Sequence, residues 1–163
     1  MLASLLLLSH LANAGSEVGS VKKLGVGVTT GDPYIGVTGK YWVSDDSGFA
    51  VYVGSAVVYH TAKVSFQSNF LTVGEDWSFG RLPIYWHADA VAGLYTVPNY
   101  VAPVVAVGGG AGTALQLQAV PVEVFGELGL AAGYNGFCAN NAALVGAACF
   151  FRPLVSFGGR WYF

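Results

Sequence analysis

The sequence predicts an all-β protein: an eight-stranded antiparallel transmembrane β-barrel, built as a meander and preceded by a cleaved signal peptide. Three observations predict it. Hydrophobic residues make up 54% of the 163 residues and charged residues only 10%, against about 25% charged in an ordinary soluble domain. No run of about 18 or more apolar residues occurs, so no helical span is on offer; a closed barrel is the other way for a backbone to satisfy its polar groups in lipid. The last stretch of the chain has period two, with Val155, Phe157, Gly159, Trp161 and Phe163 on one face and Leu154, Ser156, Gly158, Arg160 and Tyr162 on the other. The first face is mostly apolar and the second holds the only charge, the pattern of a strand between lipid and a polar interior.

Residues 1–14 read as the signal peptide. Leu5-Leu6-Leu7-Leu8 heads an apolar stretch, and Ala12-Asn13-Ala14 offers a small-x-small cleavage site, so removal is expected after Ala14. Residues 15–22 are a short polar lead, and 23–163 are the barrel. Leu24 to Thr29 is a first strand with Leu and Val on one face and glycines on the other; glycines facing inward suit a narrow barrel whose side chains crowd the bore. Gly31-Asp32-Pro33-Tyr34 is a turn. Ile35 to Val43 is the second strand, with Thr38, Lys40 and Trp42 on one face. Ser44 to Gly48 turns the chain, and Phe49 to Tyr59 returns as a third strand.

The middle is less regular. Lys63 to Val73 reads either as a strand or as part of a long external loop from His60 to Arg81. Leu82 to Leu94 and Val101 to Gly108 are strands, and Gly108 to Gly112 is a turn or bulge. Leu115 to Tyr134 holds one long strand kinked near Pro121, or two short ones; Asn135 to Ala148 is a loop before the closing strand. Each crossing needs about 9–11 residues, and single-chain bacterial barrels carry even strand numbers from eight upward, which sets the expected count at eight. With both termini in the periplasm, the turn at Asp45-Asp46 lies there too. The loop from Asn135 to Ala148 lies outside, in keeping with short periplasmic turns and longer external loops.

The ending Trp161-Tyr162-Phe163 resembles the closing strand of bacterial outer-membrane barrels, and the resemblance implies that these residues are the signal read by the barrel-assembly machinery. The series Gly31-Asp32-Pro33, Gly39-Lys40-Tyr41-Trp42, His87-Ala88-Asp89, Val122-Glu123-Val124-Phe125 and Gly159-Arg160-Trp161-Tyr162-Phe163 is similar, in that order, to uncharacterised small outer-membrane barrels of Gram-negative-type bacteria. It also resembles the eight-stranded class that includes the OmpA and OmpX type. Against that pattern, His60 to Arg81 looks like an insertion and Thr113 to Pro121 looks shortened. The resemblance implies a barrel in the bacterial outer membrane, with lipid and the assembly machinery as partners, and no established activity.

Strand parity then sorts the charges. Tyr85, His87 and Asp89 share a face; Glu123, Phe125 and Glu127 share another; Lys40 and Arg160 sit on polar faces. A charge facing lipid at the midplane costs about 2–4 kcal/mol for Arg or Lys, so Lys40, His87, Asp89, Glu123, Glu127 and Arg160 are expected in the bore. There opposite charges should pair, with Arg160 against Glu123, Glu127 or Asp89. That predicts a bore plugged by ion pairs, a structural or interaction role, and no enzyme activity. A narrow channel for small or apolar solutes is the alternative.

A lipid-modifying enzyme would need a nucleophile near His87 and Asp89; Ser55 and Ser156 qualify by type alone, and Ser55 falls on an apolar face. No ligand spacing supports a metal at His87, Asp89 and Glu123, and no cofactor is expected. Cys138 and Cys149 flank the external loop and are expected to pair in an oxidising compartment. The net charge of −2 without a basic cluster argues against nucleic acid, while the external loops offer a surface to an extracellular partner. Tyr41, Trp42, Trp77, Trp86, Trp161 and Phe163 read as interfacial girdles.

Overall fold

The computed structural model describes residues 18–31, 35–136 and 151–163. These residues form eight strands: β1 (Leu24–Gly31), β2 (Ile35–Trp42), β3 (Ser47–Ala56), β4 (Tyr59–Val73), β5 (Gly80–Val97), β6 (Tyr100–Leu117), β7 (Val122–Asn135) and β8 (Phe151–Tyr162). Every strand pairs antiparallel with its neighbours in sequence, and β8 pairs with β1, so the meander closes into a barrel with no free edge. The expected signal peptide, residues 32–34, and Cys138 and Cys149 lie outside the described residues.

The register fixes the geometry. Cross-strand partners lead from Ile84 through Thr113, Gly126, Phe157, Thr30, Ile35, Ser55 and His60 back to β5 at Leu94, ten residues further along it. A stagger of ten residues at about 3.3 Å each, over eight strands spaced about 4.7 Å apart, tilts the strands by about 40°.

Alternation decides the two faces. Val26, Val28, Val51, Val53, Val105, Val107, Leu128 and Leu130 are exposed on the outside, while Tyr52, Tyr85, Phe125 and Leu154 are buried within. Glycines let the rings lie flat against the inner wall: a β-carbon on Gly25 would come within 2.7 Å of the Tyr162 ring, one on Gly112 within 2.7 Å of Tyr85, and one on Gly158 within 2.8 Å of Phe125.

Several expectations are corrected. The third strand ends at Ala56, and Val57-Val58 forms a tight turn into β4, so of the two readings of Lys63 to Val73 the strand holds and the long external loop from His60 to Arg81 does not. That region is a 15-residue strand, the turn Gly74–Phe79 and the start of β5. Its alternation was obscured by a register shift between Asn69 and Leu71. Gly108 to Gly112 is neither turn nor bulge: it lies inside the 18-residue β6, paired on both sides. Leu115 to Tyr134 divides at residues 118–121 into the end of β6 and most of β7.

The lead is not simply solvated. Val18 is fully buried beneath Trp42 and Tyr162, and its carbonyl accepts from Arg81 Nη2 at 2.7 Å. At the end away from the termini, the described turns Val57-Val58 and Pro98-Asn99 have two residues each, with Asn99 at φ 66°; among the described connections the longer ones lie at the terminus end.

Candidate functional site: the charged interior of the barrel

Eight charged side chains are carried by described strand residues, and all eight stand on inward positions: Lys40, Lys63, Arg81, Asp89, Glu123, Glu127, Arg152 and Arg160. Arg81 and Arg152 are half-buried near the two ends; the other six are buried. The exposed charges Lys23, Asp45, Asp46, Glu75 and Asp76 sit in the lead and turns at the terminus end.

The lower part of the interior is built around Glu123 and Arg160, direct cross-strand partners on β7 and β8. Arg160 Nη1 lies 2.7 Å from Glu123 Oε1, Lys40 Nζ lies 3.8 Å from Oε2, and Gln116 Nε2 donates to Oε2 at 3.0 Å. Arg160 also donates to Thr38 Oγ1 and to the Tyr52 hydroxyl, and packs 3.9 Å from the centre of the Phe125 ring. Lys40 stands 3.8 Å over the Trp42 indole.

Glu127 organises the next level. Its Oε1 accepts from the Tyr52 hydroxyl at 2.5 Å, Gln67 Nε2 at 2.6 Å and the Tyr85 hydroxyl at 3.2 Å, and its Oε2 meets Lys63 Nζ at 3.0 Å. Lys63 also donates to Ser156 Oγ at 2.9 Å. The Tyr52 hydroxyl therefore links the two levels, accepting from Arg160 while donating to Glu127. Beside this network His87 Nδ1 lies 2.8 Å from Asp89 Oδ2, with His87 Nε2 and Asp89 Oδ1 unpartnered.

Three buried cations face three buried carboxylates, so the pairing leaves no surplus charge when His87 is neutral. Desolvating so many ions is costly, and it is offset only where each has close partners and further hydrogen bonds. Glu123, Glu127 and Arg160 meet that condition with several partners each.

All six residues expected in the bore are inward and buried, and of the three expected counter-charges Arg160 contacts Glu123. Asp89 instead partners His87, and Glu123 is engaged by Lys40, Arg160 and Gln116 rather than by the His87–Asp89 pair. Sequence reasoning missed Lys63, Tyr52, Gln67, Gln116 and Tyr85 as members. Lys63 could have been found by the same argument that placed Lys40 inside, and Tyr85 shares the His87 face. The two candidate serines part company: Ser156 is inside, on Lys63, while Ser55 is outside and shares a 2.8 Å hydrogen bond with His60 Nδ1.

Trp42 is corrected from girdle to interior, at 1% exposure, because its strand parity is that of Lys40. Tyr41, Trp86, Trp161 and Phe163 are exposed on the outside near the terminus end, with Phe49, Phe66 and Trp86 forming a ladder at 5.3 and 5.4 Å between ring centres.

Above the network many inward positions are small, among them Gly36, Gly54, Gly108 and Gly129, and Val91 and Leu154 pack with Ala106 and Ala131. A cavity of about 570 Å³ lies at this end, lined by Gly31, Ala56, Tyr59, Tyr95, Asn135 and Arg152 among others. No protein-family model, no curated protein and no solved structure matches this chain.

Proposed function

We propose that this protein is a small bacterial outer-membrane barrel with a structural or interaction role, its bore filled by the Glu123–Arg160 and Glu127–Lys63 network. On this reading the first 14 residues are a signal peptide, both termini face the periplasm, and Trp161, Tyr162 and Phe163 present the assembly signal. The observation that carries it is the sorting of charge. The outward face of every described strand lacks Asp, Glu, Lys and Arg, while the inside holds six buried ions. A water-soluble barrel would expose polar groups outside, since an apolar surface beyond a few hundred Å² marks a membrane or protein contact. The filled lower bore favours the structural role over conduction: an ion passing through would have to part the Arg160–Glu123 and Lys63–Glu127 pairs.

Outer-membrane fractionation with heat-modifiable migration in detergent gels tests the location; a protein recovered soluble from the periplasm overturns it. Planar-bilayer recording tests the plug, and stable unitary currents would replace it with the narrow channel.

A further inference from the structure

We propose that the bilayer around this barrel is thinned on one side, where headgroups of the far leaflet descend to the Ser55–His60 pair on β3 and β4. The inference rests on the membrane-spanning reading above and deepens it by giving the shape of the lipid surface the barrel fits.

On β7 the outward positions Val122, Val124, Gly126, Leu128, Leu130, Ala132 and Tyr134 carry no small polar or charged group. Those twelve residue steps span about 40 Å along the strand, or about 30 Å along the barrel axis at a tilt of about 40°. That height matches a full hydrocarbon core of about 30 Å. In a ring of eight strands, β3 stands diametrically across from β7. There the apolar outward run is only Phe49, Val51 and Val53.

This run is closed at both ends by hydrogen-bonded polar pairs. Ser47 donates to Ser68 at 3.1 Å at the terminus end, and Ser55 meets exposed His60 at 2.8 Å at the other. From Ser47 to Ser55 is eight steps, about 26 Å along the strand and about 20 Å along the axis. The two sides of one barrel thus offer lipid bands that differ by about 10 Å in height.

A rigid tilt of the barrel would raise one side of both rims together, and the terminus end is level. Tyr41 on β2, Phe49 on β3, Trp86 on β5 and Trp161 on β8 are exposed there. By the same register and tilt they fall within about 6 Å of one another along the axis. The mismatch therefore falls on the far leaflet alone. An imidazole and a hydroxyl held in hydrocarbon forfeit all hydration beyond the one bond they share, whereas lipid answers a mismatch of about 10 Å at fractions of a kcal/mol per Å, so the lipid yields.

The experiment compares two nitroxide labels at nearly the same height on opposite walls, Ser55→Cys and Leu130→Cys, in a background lacking Cys138 and Cys149. Each is folded into dioleoylphosphatidylcholine vesicles, and collision rates with a water-soluble nickel chelate and with oxygen are measured. A label at 55 that meets nickel at least fivefold more often than one at 130 is the expected result; equal rates overturn the inference.

Ser55→Leu/His60→Leu in the otherwise unchanged chain gives a second reading. Its folding yield should shift toward phosphatidylcholines at least two carbons longer per chain than the wild type favours, and an unchanged chain-length profile also overturns it. Failure to enter any bilayer, with the protein soluble without detergent, would instead sink the membrane reading itself.

Discussion

Replacing Glu127 with alanine tests whether the interior network holds the barrel together. The side chain is 1% exposed and receives four donors, from Tyr52, Gln67, Tyr85 and Lys63. Without it, Lys63 keeps Ser156, the face of the Tyr52 ring 4.0 Å from its ammonium, and the longer-range attraction of Asp89. Stranding one member of a buried ion pair costs about 3–5 kcal/mol. The three neutral donors would add about 1–3 kcal/mol each if they stayed dry, but water can enter the space the carboxylate leaves, so the sum is not additive.

The expected loss is therefore about 4–5 kcal/mol, read as a fall in the equilibrium unfolding midpoint in guanidinium for protein folded in vesicles. Lys63→Met/Glu127→Leu removes both charges and should recover at least half of that loss, since an apolar pair of similar volume replaces an ion pair at little net cost. A loss under about 1 kcal/mol for Glu127→Ala, or a double variant no better than the single, would mean that the bore is wet and the network ornamental.

Four further outcomes follow from the same structure. Deleting Phe163 should slow assembly into membranes with little change in folded stability, because its side chain is 68% exposed. Arg160→Ala should insert normally and then unfold about 3–5 kcal/mol more easily; pulse-labelled insertion and guanidinium titration separate the two, and identical insertion defects would refute the division. Gly27→Ala should fail to close the barrel, since a β-carbon there runs into the Gly159 carbonyl of β8, whereas Gly39→Ala, with nothing nearer than 3.8 Å, should fold normally in a gel-shift assay. Val18→Asp should release the segment beneath Trp42 and Tyr162 and speed tryptic cleavage at Lys22 and Lys23; an unchanged cleavage rate would mean that Val18 does not hold the segment down.

The closing strand and the first two strands were legible because each alternates cleanly between glycine or polar residues and β-branched or aromatic ones. What the alternation could not give was any boundary where both faces turn small or the register slips. Gly108-Gly109-Gly110 reads as a turn because glycine is the commonest turn residue. In the fold it is strand because Gly110 and Gly129 are direct partners, and a β-carbon on Gly110 would run into the Leu128 carbonyl. Leu71 hides β4 for the opposite reason: after the slip between Asn69 and Leu71 it stands outward, 50% exposed, where strict alternation wants an inward residue. The charged site was half legible. Charge alone sends Lys40, Glu123 and Arg160 inward, but the neutral members that satisfy them, Tyr52, Gln67 and Gln116, carry no such signal.

The distribution of bulk inside the barrel has a consequence of its own. Trp42, Tyr52, Tyr85, Phe125, Tyr162 and the Glu123 and Glu127 pairs all crowd the half nearest the termini, and Val18 seals it from below. The other half carries many glycines and alanines together with Val91 and Leu154, and a cavity toward its mouth. A barrel needs its inward positions filled along its whole length only if packing alone holds it. Here the far half packs Val91 and Leu154 against Ala106 and Ala131, while the half nearest the termini is tied across its diameter. Arg160 and Tyr52 do that: they join β8 to β3, and through Glu123 and Glu127 to β7. The stopper thus acts as a set of cross-braces, which is why its loss should weaken the fold first and open a path through it only afterwards.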